Sequence, residues 1–265
     1  MRRLLLVLAL ATASLATTAS PSSAIVGGSD ASPGEYPAVA QVSYGVFSCT
    51  GTLIAPDTVL TAGHCSSVDA GVVGTPVTWP AALIDVRIGS HRDGDGERVP
   101  VRSVVAHQNY LATRGYDISL LKLSRASTKP PVKVAGAGER SLWSAGTLET
   151  IVGWGVTEED GSAPDVLQEA QVPVTTDAYC DDAYDGGIDV RTMVCAGYPR
   201  GGIDTCQGDS GGPMLGRAAD GSLRVVGTTS FGEGCARAGK PGVYGRVGDD
   251  TLREWIRQRV PDGVN

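Results

Sequence analysis

Short apolar runs recur along most of the chain, and Gly, Pro, Asp and Asn separate them. Runs of this kind, rich in β-branched residues and bounded by turn residues, predict strands. The predicted strands lie within residues 38–43, 52–55, 85–88, 102–105, 118–123, 150–154, 172–174, 212–215 and 224–227. Residues 126–140, with two adjacent prolines, interrupt this pattern. We therefore expect an all-β chain with two β-rich halves, at about residues 38–125 and 140–248.

Near the end of the chain, the spacing of the apolar residues differs from that of the predicted strands. Apolar residues repeat there at helical spacing, at Leu252, Trp255, Ile256 and Val260. This spacing predicts a helix over about residues 250–260. Thr251 followed by Glu254 has the pattern of a capping box, and Pro261 would end the helix.

The start of the chain has the pattern of a secretory signal. Two arginines precede a leucine-rich apolar segment that fades into small residues, and small-x-small cleavage sites end at Ala19 and Ala24. We expect residues 1–24 to be removed as a signal peptide, with a short pro-segment if cleavage follows Ala19. No later stretch approaches the roughly 18 apolar residues of a membrane span, so we expect a secreted, extracellular protein.

The net negative charge of the chain argues against some classes of binding partner. The formal net charge is −7 and the pI is about 5.0, with no basic run after the signal. An acidic chain of this kind binds nucleic acid and anionic membranes poorly. We expect neither as a partner, and we take a monomer as the default.

Six cysteines lie after the signal segment: Cys49, Cys65, Cys180, Cys195, Cys206 and Cys235. An even count in an exported chain predicts three disulfides, for which the sequence alone allows 15 pairings. No pair has the C-x-x-C spacing of zinc sites, so we expect no metal there.

The strongest chemical signal is Ser210, which lies among glycines in residues 208–213 (GDSGGP). A serine hydroxyl is a weak nucleophile and needs a base, and glycines allow the backbone to present N–H groups to an oxyanion. This pattern also fits the nucleophile elbow of α/β-hydrolases. Those enzymes place the histidine after the serine, but all three histidines here precede Ser210. The remaining order, His then Asp then Ser, is that of the chymotrypsin group.

His64 is the best candidate for the base, because it ends an apolar strand beside Cys65. His91 lies in a polar loop and is typical of a solvated side chain, whereas His107 follows an apolar run and is typical of a structural hydrogen-bonding residue. Asp117 begins an apolar strand, where a carboxylate is costly unless it has a partner. An imidazole N–H would be such a partner, and a solvated Asp at a turn is the alternative.

Taken together, the chain resembles the trypsin-like serine proteases of the chymotrypsin family over residues 25–260, and the bacterial secreted trypsins in particular. The resemblance rests on residues 25–28 (IVGG), 61–65 (TAGHC), 117–121 (DISLL), 153–155 (GWG), 195–198 (CAGY), 204–213 (DTCQGDSGGP) and 240–244 (KPGVY). It implies a peptidase domain over residues 25–265, with two packed six-stranded antiparallel β-barrels and the disulfides Cys49–Cys65, Cys180–Cys195 and Cys206–Cys235.

The resemblance also implies a role for each site residue. Ser210 would attack the peptide carbonyl, His64 would carry the proton, and Asp117 would orient His64. The N–H groups of Gly208 and Ser210 would form the oxyanion hole.

The same resemblance makes Asp204 the floor of the pocket for the side chain before the cut bond. A carboxylate there favours Arg or Lys. The pocket would also include Thr205, Ser230, Gly232 and Gly242. The expected function is therefore endoproteolysis after Arg and Lys in protein or peptide substrates. The alternatives are a non-catalytic homologue that acts as a binding protein, and an esterase of another fold.

Ile25 would be the mature N-terminus, with its ammonium paired to Asp209. Trypsin zymogens are normally cut after Lys or Arg, but Ala24 precedes Ile25 here. We therefore expect signal peptidase, or another protease that prefers small residues, to cut after Ala24.

Three features depart from the family pattern. Phe231 stands in place of a Trp beside the substrate backbone, and residues 66–84 form a longer loop than is usual. Asp93, Asp95 and Glu97 lie in a glycine-rich loop where some trypsins bind structural Ca²⁺, but Ser90 stands where a glutamate ligand is expected. We expect a plain solvated turn and no cofactor; Val104 at the closing position also excludes an EF-hand.

Overall fold

The structure is a computed structural model that describes residues 25–68, 76–111 and 114–265. The predicted signal segment 1–24 and residues 69–75 of the long loop lie outside the described residues. Within the described part of the chain, none of the helices is long and apolar enough to cross a membrane.

The described chain is mainly strand. In chain order the strands are β1 (Ser29–Asp30), β2 (Val39–Tyr44), β3 (Phe47–Ala55), β4 (Thr58–Thr61), β5 (Ser67–Val68), β6 (Val77–Thr78), β7 (Ile84–Ile88), β8 (Glu97–Arg98), β9 (Val101–Ala106), β10 (Ser119–Leu123), β11 (Leu148–Gly153), β12 (Gln168–Pro173), β13 (Met193–Ala196), β14 (Pro213–Arg217), β15 (Leu223–Phe231) and β16 (Gly242–Gly245). The α-helices are α1 (Asp177–Ala183) and α2 (Asp250–Arg259). Short 3₁₀ turns cover Ala81–Leu83, Arg114–Tyr116, Ala137–Trp143 and Pro261–Gly263.

The strands form two antiparallel sheets and a small ribbon. The first sheet has the order β8-β7-β2-β3-β4-β10-β9, the second has the order β1-β12-β11-β14-β15-β16-β13, and β5 pairs with β6. Each sheet contains six longer strands and one two-residue strand, β8 or β1, at its edge. The prediction of an all-β fold with two six-stranded barrels and a C-terminal helix is confirmed.

Alternation along the strands explains why each sheet curls around a core. In β7, Ile84, Val86 and Ile88 are buried and Asp85 and Arg87 are partly exposed, as expected when successive side chains point to opposite faces. The inward side chains of the first sheet form one apolar cluster. The second sheet encloses another cluster, which includes Ile151, Val194 and Tyr244.

Backbone hydrogen bonds join the ends of the second sheet. The Thr175 N–H donates to the Cys195 carbonyl over 2.9 Å, and the Gly197 N–H donates to the Pro173 carbonyl over 2.9 Å. These bonds connect the end of β12 to β13, the strand at the opposite edge of the sheet. The sheet therefore closes on itself, which removes edges that would otherwise present unpaired backbone groups.

The N-cap of helix α2 lies two positions before the predicted capping residue, Thr251. It is Asp249, whose carboxylate accepts the Asp250 N–H over 2.7 Å. The predicted capping box from Thr251 is therefore wrong, because Asp249 already supplies the cap and Thr251 lies inside the first turn. Glu254 pairs with Arg257 instead.

A third apolar cluster joins the two barrels to α2. It contains Leu60, Ile118 and Leu120 from the first barrel, Val152, Leu215 and Val225 from the second, and Leu252, Trp255 and Ile256 from α2. Ile118 directly follows Asp117, and Leu60 lies four residues before His64. The packing between the barrels therefore fixes the strands that carry both residues.

Candidate active site

His64 and Asp117 come together at the edge of the first barrel. Strands β4 and β10 pair antiparallel with Ser119 opposite Thr61, which brings the residues that follow Thr61 and precede Ser119 to the same side. His64 Nδ1 lies 2.8 Å from Asp117 Oδ2, and the His64 N–H donates to Asp117 Oδ1 over 2.9 Å. The carboxylate therefore holds both the ring and the backbone of the histidine.

Asp117 is almost completely buried and has a third partner, Ser230. The Ser230 hydroxyl donates to Asp117 Oδ2 over 2.5 Å. Burial by itself would raise the pKa of Asp117, but the charge of His64 and these hydrogen bonds lower it below its usual value. The carboxylate is therefore ionised at neutral pH. Burial also works against the charged form of His64, but Asp117 outweighs it and raises the pKa of His64.

Gly63 is required beside this pair. A Cβ at this position would lie 2.9 Å from the ring of Tyr110 and 3.1 Å from Asp117 Oδ1. Both distances are shorter than ordinary van der Waals contacts, so a side chain would displace Asp117 or Tyr110. The glycine of the TAGHC segment thus allows the His64 backbone to approach the carboxylate.

Ser210 lies in the loop before β14, in the second barrel. The N–H groups of Asp209, Gly211 and Gly212 in this loop all donate to backbone carbonyls. In the described part of the chain, those of Gly208 and Ser210 have no acceptor. Gly208 has a φ of +102°, a conformation that only glycine adopts readily. Two free N–H groups next to a serine hydroxyl are the arrangement that stabilises an oxyanion.

A cavity of about 200 Å³ opens beside Ser210 and ends at Asp204. Its lining includes the sequence-predicted pocket residues Thr205, Ser230, Gly232 and Gly242 together with Gln207, Thr229, Phe231 and the Cys206–Cys235 disulfide. Gly242 gives access to the floor, because a Cβ there would lie 2.6 Å from Asp204 Oδ1. At Gly232 the nearest atom to such a Cβ would be 3.3 Å away, so the wall there is less tight.

Asp204 is 3% exposed and has no positively charged partner among the described residues. Its Oδ1 accepts the Thr205 N–H over 2.8 Å, and its Oδ2 accepts the Ala236 N–H over 3.0 Å. Burial raises the pKa of this carboxyl to about 6 in spite of these hydrogen bonds. A cationic ligand that reached the floor would therefore find a poorly solvated carboxylate.

Asp209 is fully buried beneath the Ser210 loop. Its carboxylate accepts the N–H groups of Gly155, over 2.7 Å, and Cys206, over 2.9 Å. A Cβ at Gly153 or Gly155 would lie 2.1 or 2.3 Å from the carboxylate oxygens, so the GWG segment makes room for it. Burial raises the pKa of Asp209 to about 7.

Ile25 is completely buried in the core of the second barrel. The next residue, Val26, pairs with Asp204 through hydrogen bonds of 3.0 and 3.2 Å between their backbones. Gly27 has a φ of +71°, and a Cβ there would lie 2.3 Å from the Gly202 carbonyl oxygen. The IVGG segment is therefore already docked beside Asp204.

The six cysteines form the three disulfides that the resemblance implies: Cys49–Cys65, Cys180–Cys195 and Cys206–Cys235. The first holds the residue after His64, and the third holds the start of the Ser210 loop. The described chain contains no free cysteine.

The comparisons with known proteins agree with this geometry. The family model described as Trypsin matches residues 25–256. The chain belongs to the trypsin family. It is 44% identical to a trypsin of Saccharopolyspora erythraea, an alignment that covers 88% of this chain and 98% of that protein. It is 37% identical to a trypsin-like protease of Streptomyces glaucescens, with 90% and 85% covered, and 35% identical to trypsin-1 of Astacus astacus, with 88% and 98% covered. The protein is thus a serine protease of the trypsin family.

The other two histidines lie apart from this trypsin-family site. His107 is buried against the rings of Tyr116 and Trp255, with centroids 4.6 and 5.0 Å away. Its Nδ1 accepts the Asn109 N–H over 3.1 Å, and burial together with the charge of Arg259 lowers its pKa to about 4. His91 lies in the loop after β7, where its backbone N–H donates to Asp95.

The carboxylates of the glycine-rich loop already accept hydrogen bonds from protein groups. Asp95 accepts the backbone N–H groups of His91 and Arg92, Asp93 accepts from Gln41, and Glu97 pairs with Arg125. This donor set does not fit a calcium site, because the oxygens are turned toward separate partners. Among the described residues, the one group with metal-ligand proximity is Cys49, His64 and Cys65, and its two cysteines are joined in a disulfide. The absence of a metal cofactor stays a prediction.

Sequence reasoning missed two features of the site. Ser230 was expected only as a pocket residue, but its hydroxyl also binds Asp117. Phe231 packs edge-to-face on Tyr184, with centroids 5.6 Å apart, so the wall of the pocket has an aromatic support. Since both contacts join residues that are far apart in the chain, no local pattern reports them.

Proposed function

We propose that this protein is a secreted endopeptidase that hydrolyses peptide bonds on the carboxyl side of Arg and Lys. The observation that carries the proposal is the cavity that Ser210 and Asp204 share. A buried carboxylate at the end of a narrow cavity favours a long cationic side chain. Arg can pair with it bidentately, and Lys can reach it as a point charge.

The geometry supports an acyl-enzyme mechanism of the kind general to this family. His64, held in one orientation by Asp117, accepts the proton of Ser210 as Oγ attacks the peptide carbonyl. The N–H groups of Gly208 and Ser210 stabilise the oxyanion. His64 then gives the proton to the leaving amine, and water releases the acyl group by the reverse sequence.

The experiment is a comparison of kcat/KM for peptides with Arg, Lys, Leu or Gln before the cut bond. Asp204→Ser should lower kcat/KM for the Arg and Lys peptides on the order of 10²- to 10⁴-fold, because it removes one partner of a buried charge pair. Asp262→Ser, which changes an exposed carboxylate in the last turn, is the matched control. An unchanged profile in Asp204→Ser would refute the specificity assignment.

The alternative is a homologue that binds proteins without cutting them. Such homologues lose a catalytic group, but this chain keeps His64, Asp117 and Ser210, with the first two in hydrogen-bond contact. Stoichiometric reaction of Ser210 with an organophosphate, abolished in Ser210→Ala, would support the enzyme. Correctly processed protein that does not react would support the binding protein.

Processing after Ala24 is part of the proposal. Ile25 has a φ of +61°, which is costly for a β-branched residue. This torsion exists only while Ala24 is bonded to Ile25, so cleavage would remove the strain and create an ammonium group. Asp209 offers that ammonium a buried carboxylate with no other cationic partner among the described residues, and buried charges are tolerated only as pairs.

A further inference from the structure

One side of the Asp204 cavity is formed by the segment 232–242, here called the pocket wall. The cavity lining takes four residues from it: Gly232, Gly234, Cys235 and Gly242. The pocket wall also reaches the floor of the cavity, because the Ala236 N–H donates to Asp204 Oδ2 over 3.0 Å. The position of this segment therefore affects both the shape of the cavity and the state of its carboxylate.

The pocket wall is strained at the point where it meets Asp204. Ala236 has a φ of +53°, a conformation that is unfavourable for residues other than glycine. Its carbonyl accepts the Gly202 N–H over 2.9 Å, and a Cβ at Gly201 would lie 2.2 Å from the same carbonyl oxygen. A conformation of this kind persists only where the surrounding structure holds it. The contacts of its neighbours therefore decide whether the Ala236 N–H stays directed at Asp204.

The next residue, Arg237, forms an ion pair with a different loop. Its Nε donates to Glu159 Oε2 over 3.0 Å, and its Nη2 donates to Glu159 Oε1 over 2.6 Å. Two parallel bonds of this kind fix the direction of the guanidinium as well as its distance. Both side chains are partly exposed, so the pair contributes little to the stability of the whole protein. We expect its effect to be local, beside Ala236.

The Glu159 carboxylate acts on both neighbours of Ala236 in the chain. The guanidinium of Arg237 and, to a smaller extent, the backbone N–H of Cys235 lower the pKa of Glu159 below its usual value. The carboxylate is therefore ionised at neutral pH. The Arg237 side chain also lies across the pocket wall, because a Cβ at Gly234 would be 2.2 Å from Arg237 Nε.

The loop that carries Glu159 is itself fixed. Its start is tied by the Val156 N–H, which donates over 2.8 Å to the carbonyl of Gln207 in the loop of the proposed nucleophile. Its tip is a tight turn, in which the Gly161 N–H donates to the Glu158 carbonyl over 2.9 Å. The turn therefore presents the Glu159 carboxylate to the pocket wall in a defined position.

We propose that Glu159 is a positioning residue for substrate binding, which acts through Arg237 to hold the Ala236 N–H on Asp204. The ion pair keeps the pocket wall in the shape that accepts an arginine or lysine side chain. Without the pair, the strained Ala236 turns away, and the buried Asp204 carboxylate loses one of its two backbone N–H partners. This inference rests on the proposed function, because it assumes that Asp204 binds the cation of the substrate.

The pH dependence of cation binding separates positioning from simple electrostatics. The hydrogen bond from Ala236 favours the charged form of Asp204, so its loss should raise the pKa of that carboxyl further above its usual value. Removal of the negative charge of Glu159 would by itself lower the pKa of Asp204, because a nearby like charge raises it. The two explanations therefore predict shifts of opposite sign. Among the described residues, the other titratable groups that face Asp204 are Asp209, Tyr184 and Tyr244. They are unchanged in every variant below.

The experiment measures the Ki of benzamidine, a small aromatic amidinium, as a function of pH, with the enzyme concentration set by active-site titration. We expect Glu159→Gln to raise the Ki about three- to tenfold at neutral pH and to move the midpoint of the pH profile upward by about 0.5. Glu158→Gln is the matched control, because it removes the same charge from an exposed glutamate of the same turn. It should change the Ki less than about twofold. For both variants, kcat for an arginyl ester should stay within about twofold, because the proposed catalytic groups lie outside the pocket wall.

A second set of variants tests whether Glu159 acts through Arg237. Arg237→Gln should raise the Ki as Glu159→Gln does, although the two substitutions change the net charge in opposite directions. The double variant should be no worse than either single variant, since all three break the same pair. Arg237→Lys keeps a single contact and should lose less.

Three results would overturn the positioning role: a response of Glu159→Gln equal to that of Glu158→Gln, a pH midpoint that falls, or effects of the two single variants that add in the double variant. Failure of the unmodified enzyme to bind benzamidine, or binding that Asp204→Ser leaves unchanged, would instead overturn the proposed function, and the positioning role with it.

Discussion

Asp204 and Asp209 lie five residues apart, and burial raises the pKa of both carboxyls. Their surroundings give them different roles. Asp204 opens onto a cavity, so its missing counter-charge can come from a substrate. Asp209 is closed in by Gly153 and Gly155, so only a group from inside the protein can pair with it.

The raised pKa of Asp204 predicts how cation binding depends on pH. Since the carboxyl is neutral below its pKa of about 6, benzamidine should bind more weakly as the pH falls through 6 and should reach constant affinity above pH 7. The measurement is the Ki of benzamidine from about pH 4.5 to about pH 8. Asp204→Asn should bind benzamidine weakly throughout, and a flat profile in the unmodified enzyme would contradict the prediction.

Glu149 is a buried carboxyl for which the proposed mechanism has no use. It is 1% exposed, and neither carboxyl oxygen has a hydrogen-bond partner among the described residues. Space for it exists because residue 216 is glycine; a Cβ there would lie 2.9 Å from Glu149 Oε2. Burial raises the pKa of Glu149 to about 8, so the group is largely protonated at neutral pH.

This raised pKa predicts that stability falls on the alkaline side. The folded protein holds the Glu149 proton more tightly than the unfolded chain does. The contribution of the neutral acid is therefore complete below the unfolded pKa of about 4.3 and is lost as the pH rises through about 8. Glu149→Gln cannot ionise. Between pH 5 and 8, the free energy of unfolding of the unmodified protein should therefore fall by roughly 2–5 kcal/mol more than that of Glu149→Gln.

Urea unfolding in a Ser210→Ala background measures this difference without self-digestion. Glu254→Gln, which neutralises a partly exposed glutamate on α2, serves as the comparison variant. Parallel loss of stability in the unmodified protein and in Glu149→Gln would show that Glu149 is not the titrating group.

At the scale of elements, α2 supports the strand that carries the proposed catalytic aspartate. Leu252 is fully buried in the cluster that also holds Ile118 and Leu120 of the Asp117 segment. The Trp255 indole N–H donates to Gln108 over 2.9 Å, which ties the helix to the loop after β9. The helix therefore contributes to the site through packing, although none of its residues lines the cavity between Ser210 and Asp204.

Truncation of Leu252 should separate stability from specificity. Leu252→Ala leaves a cavity in the core and should lower the free energy of unfolding by about 2–5 kcal/mol. Arg257→Ala, on the exposed face of the same helix, should change it by less than about 0.5 kcal/mol. Urea unfolding gives both values. A change in the Arg-to-Lys preference of folded Leu252→Ala would indicate that the helix also shapes the pocket.

At the scale of the whole molecule, the proposed site exists only where two barrels meet. His64 and Asp117 belong to the first barrel and Ser210 to the second, and the shared apolar cluster fixes the barrels against each other. The IVGG segment adds a third component, because Ile25 is buried in the second barrel and Val26 pairs with Asp204. Cleavage at the start of the chain can therefore affect the conformation of the Ser210 loop.

Processing should be visible at the N-terminus of the secreted protein. We expect N-terminal sequencing to begin at Ile25, and Asp209→Asn to destabilise the activated form by about 3–5 kcal/mol because it leaves a buried ammonium unpaired. Thermal unfolding of the processed Ser210→Ala protein, with and without Asp209→Asn, measures the second effect. A secreted chain that begins well before Ile25 would show that a zymogen exists.

Local patterns in the sequence were sufficient for most of the longer strands, for helix α2 and for the order of His64, Asp117 and Ser210, but they did not predict β13, β16 or helix α1. The period of apolar residues follows from backbone geometry, which is local. Chain order excluded the α/β-hydrolase triad without any coordinates. The disulfide pairing and the pocket residues came from the family resemblance, since spacing alone left 15 pairings open. The capping residue of α2 was misplaced because adjacent polar residues offer several caps.

Only the tertiary structure decided which distant groups meet. The bond from Ser230 to Asp117 spans 113 positions. Glu149, which has no hydrogen-bond partner among the described residues, can be identified only when burial is known, and the stacking of Trp79 on Tyr44 joins two separate segments. Burial and side-chain contact depend on the packing of the whole chain. The sequence by itself therefore determined the elements and the chemical groups available, and the packing of two barrels decided their partners, their pKa values and the shape of the cavities around Ser210.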